Sequence, residues 1–211
     1  MQVFHVLNDM IDHKLAVVIR GNSTEQALKT ADACYLGGIR VLEVTFTVNG
    51  ADEVMKTLIE QYDDAIVGAG TVLDAETARI AIVAGARFIV SPAFDRETAL
   101  LCNRYQIPYL PGCMTITEMV TALEYGAQVV KLFPGQSYAP SFISNVKGPL
   151  PHLNIMPTGG ITLDNVSEWL QAGAVMTGVG GEITKGAKTG DYAAVTKEAE
   201  RFVSAVGGRS S

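Results

Sequence analysis

Long hydrophobic runs are absent from this chain, and no apolar segment approaches the roughly 20 residues that a membrane-spanning helix needs. The first ten residues also lack the basic-then-apolar order of a secretory signal peptide. Their pattern instead predicts a short amphipathic helix at the N-terminus. We therefore expect this chain to have no membrane partner.

Cysteine and histidine are scarce, with three of each in 211 residues. Cys34, Cys102 and Cys113 are scattered, and neither they nor the histidines show the spacing of a metal site. The sequence therefore predicts no metal, and a reducing cytoplasm is the compartment that we expect. Cys113 is interpreted as a small buried hydrophobic residue, because no histidine lies nearby in the sequence to activate it.

Positive charge is also in short supply. The chain has 16 Lys and Arg against 22 Asp and Glu, which leaves a net charge of −6 and a pI near 5.1. This balance argues against a general nucleic-acid-binding protein. Hydrophobic residues make up 48% of the chain, which suits a large core, and no Pro/Ser-rich or charged linker interrupts it. We expect residues 1–211 to form a single domain.

Short apolar runs alternate with helical patterns along the whole chain. Residues 15–19 are continuously apolar, as a strand buried on both faces should be, and Ser23 with Gln26 then forms a capping-box pattern at a helix start. Strands are predicted at 15–19, 41–46, 65–68, 88–90, 109–110, 129–132, 155–157 and 176–179. Further helices are predicted at 51–62, 75–84, 96–105, 116–125, 141–146, 163–172 and 192–205.

The joints between helices and strands repeat one form. Gly37, Gly85, Gly126 and Gly173 each stand where a helix ends and a strand is about to begin, at intervals of about two strand–helix units. Eight strands each followed by a helix predict a (β/α)8 TIM barrel with a short N-terminal helix. The alternative is an open doubly wound sheet, which would usually carry a Gly-rich phosphate fingerprint after its first strand, and residues 19–22 are not one.

Lys131 lies within an apolar segment, QVVKLFP at 128–134, that predicts a buried strand. Burying an unpaired ammonium costs several kcal/mol, so a lysine in this setting tends to lose its proton. A neutral amine attacks carbonyl carbons and forms a Schiff base, and none of the other seven lysines has this setting. A lysine that reaches solvent or pairs with a carboxylate is the alternative interpretation.

Glu43 is the second ionisable residue inside an apolar strand. Burial favours the protonated form of a carboxyl, which suits proton transfer near neutral pH. A purely structural Glu–Lys pair inside the barrel is the alternative.

The other polar residues collect where strands end, which in a barrel is the catalytic face. Arg20 follows the first predicted strand, and Thr71 follows the third. Glu43, Thr45 and Thr47 stand at every second position along the second strand and can share one face. Thr45 and Thr71 are candidates for binding a substrate carboxylate. Glycine pairs at 159–160 and 180–181 leave backbone N–H groups open at the usual phosphate position of a barrel.

At these residues the sequence resembles the KDPG/KHG aldolases, which are class I aldolases that form a Schiff base and release pyruvate. The resemblance runs from about residue 15 to residue 205. The resembling segments occur in family order: LEVTFT at 42–47, VGAGTVL at 67–73, VSP at 90–92, PGCMT at 111–115, VKLFP at 130–134 and PTGGI at 157–161.

The resemblance implies a (β/α)8 barrel, usually a homotrimer, that needs neither a metal nor another cofactor. Lys131 matches the Schiff-base lysine, and Glu43 matches the general acid/base. The substrate-binding residues are then Arg20, Thr45, Thr47, Thr71, Pro92, Phe133 and Thr158. The phosphate-binding residues are Gly159, Gly160, Gly180 and Gly181.

Two departures from the family pattern bear on the substrate. Many members carry Arg where this chain has Thr47, so Arg20 is expected to supply the cation, as in one branch of the family. Many members also have Ser where this chain has Gly181, which is followed here by the acidic Glu182. A lost hydroxyl and a nearby carboxylate make the unphosphorylated 4-hydroxy-2-oxoglutarate a competitor of a phosphorylated substrate.

We expect cleavage of 2-keto-3-deoxy-6-phosphogluconate (KDPG) to pyruvate and glyceraldehyde 3-phosphate, and also of 4-hydroxy-2-oxoglutarate (KHG) to pyruvate and glyoxylate. Another 2-keto-3-deoxy sugar acid is an alternative substrate. Two other classes of protein stay open: a phosphate-ligand barrel with isomerase or synthase chemistry, and a non-catalytic sugar-acid sensor. An isomerase or synthase would leave the buried Lys131 without a role. A non-catalytic sensor would tolerate the loss of Lys131 or Glu43, and both residues are present.

Overall fold

The computed structural model describes residues 2–207; Met1 and residues 208–211 lie outside it. The helices are Gln2–His13 (α1), Thr24–Leu36 (α2), Ala51–Gln61 (α3), Ala75–Val83 (α4), Arg96–Tyr105 (α5), Ile116–Glu124 (α6), Ser141–Lys147 (α7), Val166–Gln171 (α8), Gly181–Thr184 (α9) and Tyr192–Val206 (α10), with 3-10 turns at Gly135–Ser137 and Lys185–Thr189. The strands are Leu15–Ile19 (β1), Val41–Thr45 (β2), Ile66–Gly70 (β3), Ile89–Val90 (β4), Tyr109–Leu110 (β5), Gly112–Cys113 (β6), Val130–Leu132 (β7), Ile155–Pro157 (β8) and Thr177–Val179 (β9).

All strand pairs are parallel, and they fall into two sheets. The larger sheet has the order β5-β4-β3-β2-β1-β9, and the smaller has the order β6-β7-β8. Only Pro111 separates β5 from β6, so one passage of the chain contributes to both sheets. The chain therefore has an α/β fold with parallel strands in a curled sheet, which is compatible with a TIM-type fold.

The free edges of the two sheets approach each other at β8 and β9. Thr158, directly after β8, forms a parallel bridge with Gly178 of β9. The backbone N–H of Val175 also donates to the carbonyl of Ile155 at 3.1 Å. Thr158 and Gly178 are thereby held at the same end of the strands as the predicted catalytic residues.

Helix α1 covers the opposite end of the sheet. Its apolar residues Val6 and Met10 are fully buried and belong to a cluster with Val41 and Ile66, which are the first residues of β2 and β3. Phe88, just before β4, fills the same cluster, and a Cβ at Gly68 would lie 2.5 Å from its ring. The N-terminal ends of the strands are therefore closed by hydrophobic packing, and the carboxyl ends are left for the site.

Most of the predicted elements are present, with boundary shifts of a few residues. Ser23 caps α2 by accepting from the N–H of Gln26, but the Gln26 side chain accepts from Asn22 rather than closing a capping box. The reciprocal box is found instead between Thr115 and Glu118 at the start of α6. Strand β6, helix α9 and the two 3-10 turns are additional to the elements predicted.

Helices of the length and apolarity needed to cross a membrane do not occur among residues 2–207.

Candidate active site

A cavity of about 310 Å³ lies at the carboxyl ends of the strands. The predicted residues that line it are Arg20, Thr71, Pro92, Lys131, Phe133, Thr158, Gly159, Gly160, Gly180 and Gly181. They come from six different strand ends or the turns that follow them, so the fold assembles residues that are far apart in the sequence. Other members of the lining include Val18, Ile161, Gly178, Val179 and Glu182, and Glu182 was expected from the sequence to lie beside the phosphate-binding glycines.

Lys131 and Glu43 form a buried ion pair beneath this cavity. The Nζ atom of Lys131 lies 3.4 Å from Oε1 of Glu43, and the two side chains are only 7% and 1% exposed. Lys131 reaches the cavity wall, whereas Glu43 lies behind it. The second carboxylate oxygen of Glu43 is buried and has no hydrogen-bond partner among the described residues. Because a buried carboxylate oxygen without a partner is costly, this atom is suited to hold a water or a substrate hydroxyl.

Gly70, the last residue of β3, makes room for the Glu43 side chain. A Cβ built at Gly70 would lie 2.6 Å from Cγ of Glu43, closer than real side chains come. The sequence pattern at residues 68–71 indicated a strand end but not this packing. A larger residue at this position would push Glu43 out of contact with Lys131.

Thr71 follows Gly70 and carries a strained backbone. Its φ of 55° lies in the left-handed region, which a β-branched residue rarely adopts. Backbone strain of this kind costs on the order of 1–3 kcal/mol and is concentrated at functional sites. Thr71 lines the cavity in this conformation, and its role in binding a carboxylate stays a prediction.

Thr158 and the glycines after it form a second wall. The hydroxyl of Thr158 is buried and has no hydrogen-bond partner in the described part of the chain. Gly159 and Gly160 have φ values of 92° and 72°, and a Cβ at Gly160 would lie 2.6 Å from Cβ of Gln136. Glycine is thus required here both by conformation and by the close approach of the neighbouring turn.

Thr45 and Thr47 are placed differently from the other predicted binding residues, because neither lines the cavity. The Thr45 hydroxyl is fully buried and donates to the carbonyl of Ile19 at 3.0 Å. It also lies 2.7 Å from the hydroxyl of Thr47, which is exposed. In this arrangement Thr45 ties β2 to β1, and the predicted substrate contacts of both threonines stay predictions.

Arg20 is exposed at the cavity and makes no hydrogen bond or ion pair with any residue between 2 and 207. An unpaired guanidinium beside a cavity is available for an anionic group of a ligand. Glu182 also lines the cavity, and its carboxylate lies 3.7 Å from Nζ of Lys185.

Cys113 is 2% exposed, which agrees with its interpretation as a small hydrophobic residue. Burial, with a smaller contribution from the nearby Glu118, raises the pKa of the Cys113 thiol to about 12. A thiol with so high a pKa is a poor nucleophile near neutral pH.

No group of three or more potential metal ligands is found within residues 2–207.

Tyr109 holds the loop that carries Pro92 to the cavity. Its hydroxyl lies 2.5 Å from the hydroxyl of Ser91, and it accepts from the backbone N–H of Asp95 at 3.1 Å. It also lies 3.3 Å from the carbonyl of Ala93. This role of Tyr109 is not predictable from the sequence, because a tyrosine in an apolar strand carries no signal of the loop to which its hydroxyl is hydrogen-bonded.

The chain is similar over most of its length to proteins named as aldolases. The 2-dehydro-3-deoxy-phosphogluconate aldolase of Treponema pallidum is 35% identical over 194 residues, covering 90% of this chain and 92% of its own length. The 2-dehydro-3-deoxy-6-phosphogalactonate aldolase of Escherichia coli is 31% identical over 193 residues, covering 90% and 93%. The KDPG aldolase structure from Legionella pneumophila, with pyruvate captured as a covalent carbinolamine intermediate, matches with a TM-score of 0.82 at 29% identity, covering 95% of this chain and 97% of that one.

These likenesses and the fold together define the class of protein, which is a carbon–carbon lyase of the aldolase type. The chain belongs to the KDPG and KHG aldolase family, whose sequence model matches residues 6–198.

Proposed function

We propose that the protein is a class I aldolase that cleaves KDPG to pyruvate and glyceraldehyde 3-phosphate, and that it also cleaves KHG to pyruvate and glyoxylate. The observation that carries this proposal is the buried contact of 3.4 Å between Lys131 and Glu43 at the cavity wall. An amine and a carboxylate in one site are the two groups that imine formation requires, a nucleophile and a proton shuttle. Both relatives described above are named as aldolases of phosphorylated sugar acids.

Lys131 is the proposed nucleophile. Transfer of the ammonium proton of Lys131 to the Glu43 carboxylate leaves a neutral amine, which attacks the C2 ketone of the substrate. The protonated Glu43 then gives this proton to the oxygen of the resulting carbinolamine, so that water leaves. The product is a protonated imine, which withdraws electrons from C3. The exposed fraction of only 7% for the Lys131 side chain limits the access of bulk water to this bond.

Glu43 is the proposed base for the cleavage step. It, or a water that it holds, takes the proton of the C4 hydroxyl while the C3–C4 bond breaks and its electron pair moves toward the imine. The aldehyde departs, and an enamine remains on Lys131. Protonation of the enamine at C3 and hydrolysis of the imine release pyruvate and restore the amine. The partnerless Oε2 atom of Glu43 supports this role.

The remaining residues of the cavity are proposed to bind the substrate. Thr71 and Arg20 are suited to a carboxylate, and the ring of Phe133, whose centroid lies 5.3 Å from Nζ of Lys131, packs with Pro92 against the pyruvate carbons. Thr158 is proposed to bind a substrate oxygen through its partnerless hydroxyl. Backbone N–H groups of Gly159, Gly160, Gly180 and Gly181 are the proposed donors to a distal phosphate.

Arg20→Ala should raise KM for acidic substrates more than it lowers kcat, because a charge-assisted contact to an anion acts in binding before any bond breaks. We expect a rise in KM of about tenfold, which corresponds to a lost interaction of roughly 1.4 kcal/mol. Steady-state kinetics on KDPG and KHG would measure it, with Arg87→Ala as a control outside the cavity lining. An unchanged KM for both substrates would exclude the role of Arg20.

We further infer that the strands of residues 1–211 close into one (β/α)8 barrel, and that the protein is a cytoplasmic homotrimer. The bridge between Thr158 and Gly178 and the shared passage through Pro111 support closure. Association is supported by exposed apolar side chains on α4 to α6 and the loops before α4 and α6: Leu73, Ile80, Val83, Leu100, Tyr105, Met114, Ile116 and Val120. The number three comes from the family resemblance.

Light scattering coupled to size exclusion should therefore give three times the chain mass of 22.4 kDa. Val83→Asp introduces a charge at a side chain that is 67% exposed. The substitution should shift the mass toward the monomer if the exposed apolar side chains on α4 to α6 form the interface. A monomeric wild type would contradict the trimer, and a trimer unaffected by the substitution would place the interface on another face.

Turnover tests the proposed function directly. Purified protein should release pyruvate from KDPG and from KHG in an assay coupled to lactate dehydrogenase. Release of pyruvate separates an aldolase from an isomerase or synthase, which would not produce it, and catalytic turnover separates an enzyme from a sensor. No pyruvate from either substrate or from another 2-keto-3-deoxy sugar acid would contradict the proposal.

A further inference from the structure

Glu182 is the only acidic side chain among the described residues that line the cavity. It follows the glycine pair after β9, where backbone donors are proposed to meet the distal end of the substrate. A carboxylate at this place accepts hydrogen bonds and donates none. It therefore treats a distal hydroxyl and a distal phosphate ester in opposite ways.

The charge of Glu182 is only partly compensated. Its one ionic partner in the described structure is Lys185, at 3.7 Å, and the two side chains are 48% and 64% exposed. Exposed pairs of this kind are weak, because both ends are solvated and the geometry is loosely held. The dipole of helix α9 contributes little to compensating the charge of Glu182, since the helix is only four residues long. A negative potential is therefore expected to remain at this end of the cavity.

The space beside Glu182 is open. A Cβ built on Gly181 would meet no heavy atom within 4 Å. The distal end of a bound sugar acid has room to lie there, next to the carboxylate. Of the cationic residues, Arg20 and Lys131 line the cavity with Glu182, and Lys131 is already paired with Glu43.

We propose that Glu182 is a specificity-determining residue, which favours 2-keto-3-deoxy sugar acids with a distal hydroxyl and disfavours those with a distal phosphate ester. The inference rests on the proposed aldolase function. A phosphate monoester carries a charge of about −1.5 to −2 near neutral pH, whereas a hydroxyl carries none and can donate to the carboxylate. The glycine turns still offer backbone donors to phosphate, so both kinds of substrate are cleaved. Glu182 reduces the difference in kcat/KM between the phosphorylated and the unphosphorylated substrate.

Substitution of Lys185 tests whether Glu182 acts through its charge. If Glu182 acts by its charge, removing that charge improves the phosphorylated substrate, whereas removing the compensating charge of Lys185 impairs it. A general loss of packing in α9 and in the 3-10 turn that follows it would instead move both variants in the same direction. The two substitutions therefore separate an electrostatic role from a structural one.

The experiment compares kcat/KM for KDPG with kcat/KM for 2-keto-3-deoxygluconate, which differs from KDPG only by the phosphate. In Glu182→Gln the ratio of the two values should rise by about tenfold, as expected for removal of one charge several ångströms from a dianion in a partly solvated site. In Lys185→Gln the ratio should fall by about threefold. Glu182→Asp should keep the wild-type ratio. Glu60→Gln, which removes an exposed carboxylate on α3, should change neither substrate.

The predicted rise for Glu182→Gln should also shrink at high ionic strength, because salt screens exposed charges. An unchanged ratio in Glu182→Gln, or a shift of the same sign in Lys185→Gln, would overturn the role of Glu182. Failure of the aldolase function has a different signature, namely no borohydride-trapped pyruvate adduct in the wild type. An intact adduct with an unchanged ratio therefore contradicts only the specificity proposal.

Discussion

Lys131→Arg should lower turnover to near the background rate, a loss of about 10³–10⁶ in kcat, as seen when a covalent nucleophile is removed from an enzyme. Arginine keeps the positive charge and most of the side-chain volume, but its guanidinium stays protonated and does not attack a ketone. The guanidinium of the substituted arginine can still pair with the Glu43 carboxylate, which in the wild type lies 3.4 Å from Nζ of Lys131. The fold should therefore survive. The measurement is pyruvate release from KDPG and KHG.

The control for this variant is Lys56→Arg, at an exposed lysine of α3. It should retain wild-type kinetics, and both variants should unfold at temperatures close to that of the wild type. Substantial activity in a well-folded Lys131→Arg would show that no imine forms at Lys131. In that case the pair with Glu43 would have only a structural role.

Glu43→Gln should lower kcat by about 10²–10⁴, the usual range for loss of a general acid/base. Glutamine has the same shape as glutamate, so it fits the space left by Gly70, but its amide does not shuttle protons. Pyruvate should still bind, and its adduct with Lys131 should form more slowly. Steady-state kcat and the rate of adduct formation are the two readouts.

Glu60→Gln, which removes a carboxylate from the surface of α3, serves again as the matched control and should leave kcat unchanged. A wild-type kcat in Glu43→Gln would mean that Glu43 only neutralises Lys131. A fall in kcat that is accompanied by loss of pyruvate binding would point to a collapsed site instead, which the unfolding temperature would reveal.

The sequence predicted the elements that depend on local pattern. A continuous apolar run such as residues 15–19 has one stable solution in a strand covered on both faces, and Leu15–Ile19 is such a strand. Lys131 and Glu43 were recognisable because a charged residue within an apolar strand is rare and needs a partner. Their mutual contact follows from the fold, since burial leaves each of them few other ways to be paired.

Features that depend on contacts between distant segments were not predictable in this way. Thr45 stands two positions after Glu43 along β2, as expected. Its hydroxyl nevertheless donates to the backbone carbonyl of Ile19 on the neighbouring strand. The binding of the Pro92 loop by Tyr109 and the fit of Glu43 against Gly70 depend on side-chain positions across the sheet. The short helix α9 contains one turn, too few residues for a periodic pattern to appear in the sequence.

The central claim is that Lys131 forms a covalent imine, and trapping tests it most directly. Wild-type protein is incubated with pyruvate and sodium borohydride, which reduces an imine to a stable secondary amine. Intact-protein mass spectrometry should show one added three-carbon unit per chain, and peptide mapping should locate it at Lys131. Omission of either reagent should give no adduct, and Lys131→Arg should not be labelled. An unlabelled wild-type protein, or a label at any other lysine, would contradict the account.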